Sequence, residues 1–338
     1  MVSPAGTVTP ASEPPPSPTL SETLRWVPVT DETRLALAMW LAHGTDGEQP
    51  EIPASAAIVQ RLALLPSPRA LGRLTGWRDR FGYSFRDVAS WVAAGPNAEL
   101  AILSGTFDEA AIDRALRESG YRRMRYRGVR MFVHSPAATP TPILNGDSIG
   151  FANAIALQPN LLLIAASPEL VQLAIEAGRG QRASLATDPF FQDMLHTLAP
   201  FHGLMIRDAK LHAMECGFLP SESKRLVPSG RSIALAYRDA GSPQSRRTLV
   251  ANVFRSQDEA NSFRSHYVRA WYADEPLVEG SSLAVFGRLV TVVQSGPVVL
   301  AELASGRDDG WIRSGIRFAV PVCAAAASAV ASATTPSR

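Results

Sequence analysis

Two periods organise the apolar residues of this chain. From Phe107 to Ser119 (FDEAAIDRALRES) they return at helical spacing, which places Ala111, Ile112, Ala115 and Leu116 on one stripe. Asp108 and Glu109 lie in the first turn, where carboxylates complement the helix dipole, and Gly120 stops the helix. From Arg122 to His134 (RRMRYRGVRMFVH) apolar residues alternate with basic ones, the pattern of a half-buried strand, and Arg127-Gly128 marks a hairpin turn. Short apolar runs predict further strands at Ala98–Ser104, Ile149–Leu157 and Leu161–Ala166, the last two joined through Pro159-Asn160. Helices are expected at Ala57–Leu65 and Arg69–Phe81, parted by Pro66 and Pro68, at Pro168–Ala177 and at Asp188–Leu198.

The second half repeats this order. It reads as a strand at Thr248–Phe254, a helix from Gln257 to Ala273, a strand pair at Leu283–Gln294 broken at Gly287, and a short helix at Pro297–Ala304. Two local matches support a repeat: Asp108-Glu109-Ala110 with Asp258-Glu259-Ala260, and Leu161–Ser167 with Leu289–Ser295. The pattern predicts an α+β fold with antiparallel sheets and helices packed on them, in two related strand-helix-strand-strand-helix units. The first spans residues 23–225, with a helical N-terminal part, and the second spans 226–318. Residues 1–22 hold proline, serine and threonine with almost no large apolar side chains and form a tether; 319–338 form an Ala/Ser-rich tail.

Composition narrows the functional classes. Of 338 residues, 46% are hydrophobic, enough for a sizeable core, and a net charge of +2 gives no global field toward nucleic acid or membrane. No run is long and apolar enough for a spanning helix, so no transmembrane segment is expected. The chain does not open on a signal peptide, yet tethers of this kind follow signal or lipid-anchor segments. The compartment is therefore the cell envelope if an export segment precedes Met1, and the cytoplasm otherwise. Cys216 and Cys323 are too few for a zinc site; they form one disulfide in an oxidising compartment or stay as two free thiols.

The run from Leu100 to His134, with its G-x-F-D, G-Y and Y-R-G-V motifs, and the run from Ala154 to Leu195, with S-P-E-L-V and S-L-A-T-D-P-F-F, resemble a group of bacterial envelope proteins and lipoproteins of unknown activity. The residues carrying the likeness are Gly105, Phe107, Asp108, Gly120, Tyr121, Tyr126, Gly128, Ser167, Pro168, Ser184, Leu185, Asp188 and Pro189. They are turn formers, caps and core positions. The resemblance implies an exported, membrane-tethered protein and supplies no catalytic residue.

Candidate chemistry is sparse. Gly146-Asp147-Ser148-Ile149-Gly150 fits the G-x-S-x-G pattern, but a Pro-rich loop precedes it and a strand follows, whereas a nucleophile elbow needs a strand before and a helix after. It reads as a loop turn; the alternative is a serine hydrolase using Ser148, with His43 cast as its base. Ser295-Gly296-Pro297-Val298-Val299 reads as a strand-to-helix turn. None of the six histidines has ligand spacing, and phosphate-loop glycine motifs are absent, so no metal and no cofactor are expected.

The remaining feature is a cluster of Arg114, Arg117, Arg122, Arg123, Arg125, Arg127 and Arg130. Strand alternation puts Arg123, Arg125 and Arg127 on one face, which with Arg130 either forms an anion-binding row or a solvated outer face eased by Asp113–Arg117 and Glu118–Arg122 pairs. The leading expectation is a non-enzymatic, envelope-associated binding or scaffold protein. Its partner is another envelope protein or an anionic ligand, and not nucleic acid.

Overall fold

The computed structural model describes residues 20–41, 75–84, 87–95, 99–134, 152–198, 203–208, 232–238, 247–272 and 288–304. Its centre is one antiparallel sheet of twelve strands in the order β11-β12-β10-β9-β8-β1-β2-β3-β7-β6-β5-β4. The strands are β1 Ala36–Leu41, β2 Val88–Ala94, β3 Leu100–Gly105, β4 Tyr121–Tyr126, β5 Val129–His134, β6 Ala154–Gln158, β7 Leu161–Ala165, β8 Gly203–Asp208, β9 Ser232–Arg238, β10 Arg247–Val253, β11 Arg288–Ser295 and β12 Val298–Ala304. The helices are α1 Leu20–Leu24, α2 Asp31–Leu35, α3 Thr75–Phe81, α4 Glu109–Glu118, α5 Pro168–Gly178, α6 Pro189–Leu198 and α7 Gln257–Tyr272. The fold is α+β, as the two periods predict.

Helices cover both faces of the sheet, and this explains why several strands are apolar throughout. On one face, α1, α5 and α6 bury Leu24, Val171, Ile175 and Phe191 against Val92, Ile102, Met131 and Leu163. On the other, α3 and α4 bury Phe81, Ile112 and Leu116 against Trp91, Leu103, Phe132 and Ile164. Every residue of β3 and β7 is buried, so neither strand alternates. β12 lies nearer the sheet's far end and does alternate between buried and half-buried positions. There α7 packs through Ala260 and Phe263 over Val299 and Phe254.

Two hairpins differ in how well sequence anticipates them. β4 and β5 pair from Tyr121↔His134 to Tyr126↔Val129, leaving Arg127 and Gly128 as a two-residue loop. Both have positive φ, 47° and 80°, as a type I′ turn requires. The expected helix at Pro297–Ala304 is instead strand β12, paired with β11 and β10. Gly296, at φ 53°, and Pro297 form a two-residue hairpin turn, so the segment from Ser295 to Val299 joins strand to strand, not strand to helix.

The expected repeat changes accordingly. Among the described residues strand, helix, strand, strand occurs as β3-α4-β4-β5 and as β10-α7-β11-β12, but β6 and β7 intervene before α5 in the first unit, and the segment expected as the closing helix of the second is β12. The match of Leu161–Ser167 to Leu289–Ser295 sets a buried interior strand against an edge strand. One sheet runs through both expected units, with β8 of the first hydrogen-bonded to β9 of the second.

Smaller differences concern boundaries. Helix α1 already spans Leu20–Leu24, overlapping the end of the expected tether. The strand expected from Ile149 begins at Ala154, after a turn at Ala152-Asn153. The expected helix Ala57–Leu65, the Pro-rich loop 135–146 and the tail 319–338 lie outside the described residues.

Candidate functional site

The motif residues can be placed one by one, and each has an architectural task. A Cβ on Gly105 would run into the Asp87 carbonyl oxygen, so β3 approaches that backbone too closely for a side chain. Phe107 packs edge-on to Tyr83, with ring centroids 5.7 Å apart. The Asp108 carboxylate caps α4, accepting from the backbone N–H of Ala110 and Ala111 at 3.0 Å. Ser167 caps α5 through a 3.2 Å bond from the Leu170 N–H, and Pro168 occupies the first helical position. Leu185 is fully buried, and its N–H donates to the Val27 carbonyl at 2.9 Å. Asp188 accepts from the Phe190 N–H at 3.0 Å and from Arg34 at 2.8 Å, tying α6 to α2.

Tyr121 donates its hydroxyl to the Ala152 carbonyl, and burial pushes its phenol up to about 12, with the Arg80 charge opposing. A folded-state value above the ordinary 10.0 means that the fold favours the neutral phenol. That contribution is complete below the ordinary value and is lost as pH rises through the folded one. Unfolding free energy should therefore decline between pH 10 and about 12, and this decline should flatten in Tyr121→Phe, as denaturant titrations across that window will measure.

The arginine cluster sits at the sheet's end, where β4 is the terminal strand. Its side chains divide between two faces. Arg123 and Arg125 point toward α4, because they share the parity of buried Tyr121. Arg122, Met124 and Tyr126 point to the α5 side. The single row of Arg123, Arg125 and Arg127 is thus corrected: Arg127 stands in the turn and turns to α5, where it pairs with Glu176 at 3.2 Å. Arg130 is the residue that joins Arg123 and Arg125 on the α4 face, lying directly opposite Arg125 across the hairpin.

Most of these charges are matched. Asp113 lies 3.3 Å from Arg123 and 3.9 Å from Arg130, and Glu109 also contacts Arg130. Arg117 approaches Asp113 Oδ1 at 3.0 Å, as the i, i+4 spacing predicts, while its Nε–H is directed at the Asp113 carbonyl at 3.3 Å. Such exposed pairs are worth about 0.2–1 kcal/mol each. Arg122 and Arg125 have no carboxylate partner among the described residues, so the expected Glu118–Arg122 pair does not form.

Sequence reasoning did not find the cluster on the other face. The Tyr126 hydroxyl donates to Glu176 at 2.7 Å and accepts from Arg127 Nε at 3.2 Å, and Arg182 lies 3.5 Å from the same carboxylate. The Tyr126 hydrogen bond, with Arg127 and then Arg182 beside it, holds the Glu176 carboxyl below the usual range. The same phenol, ahead of the Glu176 charge, raises the Arg127 guanidinium above its ordinary value. The only local signal is Tyr126 before Arg127-Gly128; the acid comes from a helix far along the chain.

Ser148 and His43, the residues of the alternative hydrolase, lie outside the described residues, as do Cys216 and Cys323. Among the described residues no helix is long and apolar enough to cross a membrane, and no three histidine, cysteine, aspartate or glutamate side chains cluster as metal ligands would.

No family model matches the chain, and no curated protein matches it. Two solved structures, crystal forms I and III of TP0453, are similar at 9% identity and a TM-score of 0.44, covering 90% and 89% of this chain and 97% of theirs. A likeness at that level leaves the reading to the residues themselves.

Proposed function

We propose that this is a non-enzymatic, envelope-associated protein that acts by binding or as a scaffold. The observation that carries the reading is the employment of the motif residues. Gly105, Phe107, Asp108, Tyr121, Ser167, Leu185 and Asp188 are each committed to a close backbone approach, a ring contact, a helix cap or a buried position. Residues conserving a shape in this way suit a protein whose product is a surface. The envelope assignment draws on the tether and on the resemblance carried by the same residues.

The test is reaction of the full chain with a fluorophosphonate probe, beside Ser148→Ala. We expect no adduct on either protein. An adduct on the parent chain that disappears in Ser148→Ala overturns the reading in favour of a serine hydrolase.

A further inference from the structure

Positive charge is concentrated at one end of the sheet. Between Asp108 and Arg130 there are seven arginines and four carboxylates, in a chain whose net charge is only +2. The terminal strand β4 carries Arg122, Arg123 and Arg125, all exposed, and no described strand pairs with its outer side. Arg123, Arg127 and Arg130 already lean on Asp113, Glu109 and Glu176. Arg122 and Arg125, without carboxylate partners among the described residues, are directed to opposite faces of the sheet, about 10 Å apart along the strand.

We infer that the outer edge of β4 binds an extended acidic segment of another protein, which adds a strand to the sheet. Three arguments select this occupant. An edge strand offers a row of backbone N–H and C=O groups that another strand pairs with directly. A strand sends successive side chains to alternate faces, so acidic residues on one added strand reach Arg125 on one face and Arg122 on the other. A compact anion spans neither the separation nor the sheet, and a flat anionic membrane meets one face only. A second copy of this chain is disfavoured by charge, since β4 beside β4 sets arginines among arginines in any register. The inference rests on the binding-protein reading and names its partner chemistry.

The experiment titrates the full chain with a fluorescent peptide of repeating Glu-Glu-Val-Val, which places glutamates on both faces of an added strand, followed by anisotropy and by amide hydrogen exchange. We expect binding that weakens with salt, new protection of the outward-directed amides at alternate residues of β4, and a loss of about tenfold or more in affinity for the double variant Arg122→Glu, Arg125→Glu. Arg122→Gln, Arg125→Gln repeats the measurement with a milder change, and circular dichroism of both variants confirms that they fold. The inference is overturned if both double variants bind the peptide as the parent does. It is also overturned if a peptide of equal charge with proline at alternate positions binds as well, or if phosphatidylglycerol vesicles displace the peptide without loss in the variants. Any of these results leaves the fluorophosphonate test, and the broader reading it examines, standing separately.

Discussion

Replacing Phe132 with alanine should lower the free energy of unfolding by about 3–5 kcal/mol. Phe132 lies on β5, paired with Arg123 of β4 on one side and Ile155 of β6 on the other, and has 0% of its surface exposed. Its ring belongs to the layer formed with Ile112 and Leu116 of α4 and with Phe81 of α3. The hole left by alanine is floored by a hydrogen-bonded sheet and roofed by a helix tied down at its N-cap, so it has little freedom to collapse. The shift will be read from the denaturant midpoint at unchanged slope. Val293, half exposed on the far edge strand, provides the contrast: alanine there should change stability by no more than about 0.5 kcal/mol. Similar losses at the two sites would mean that α4 does not seal the layer over β5. The same layer carries the arginine hairpin, so loosening it should also weaken the Asp113 contacts that orient Arg123.

What was legible in the sequence was local. The helix from Glu109 to Glu118 follows from its apolar stripe and its Asp108 cap, and the β4–β5 hairpin follows from alternation around Arg127-Gly128. The apolar pattern alone does not single out β1, β2, β8 and β9, whose apolar runs are short or diluted by alanine. ALAMWL and VASWVAA are rich in alanine and lack strict alternation, although Gly95-Pro96-Asn97 marks a turn after β2, and β1 gains its identity by pairing with β8, far along the chain. At Pro297–Ala304 the local signals are mixed: Pro297 with Leu300, Ala301 and Glu302 suits a helix start while Val298-Val299 favours a strand, and hydrogen bonding to β10 and β11 on either side holds the segment extended. The arginine cluster was visible as composition, but its division between two faces was not. Extending strand alternation through the turn put Arg127 with Arg123 and Arg125; the positive φ at Arg127 breaks that parity and sends it to Glu176.

Replacing Gly82 with alanine should cost about 2–5 kcal/mol, the sum of two separable effects. Gly82 follows α3 with φ at +76°, a conformation that costs an L-residue about 1–2 kcal/mol, and its N–H donates to the Arg78 carbonyl at 2.7 Å. An added Cβ would also lie 2.5 Å from the Ile112 Cα and 2.6 Å from the Ala111 carbonyl oxygen, both in the backbone of α4. That helix cannot retreat cheaply, because moving it withdraws Ile112 and Leu116 from the core they fill. Such overpacking costs about 1–3 kcal/mol more. Gly120 isolates the first effect: its φ is +86°, yet nothing lies within 4 Å of its would-be Cβ. Gly120→Ala should therefore lose only about 1–2 kcal/mol. The difference between the two variants, taken from denaturant unfolding of the full chain, measures how tightly α3 is pressed onto α4. Equal losses would show that the two helices are not in contact at Gly82, and the layer beneath the arginine hairpin would then need a different support.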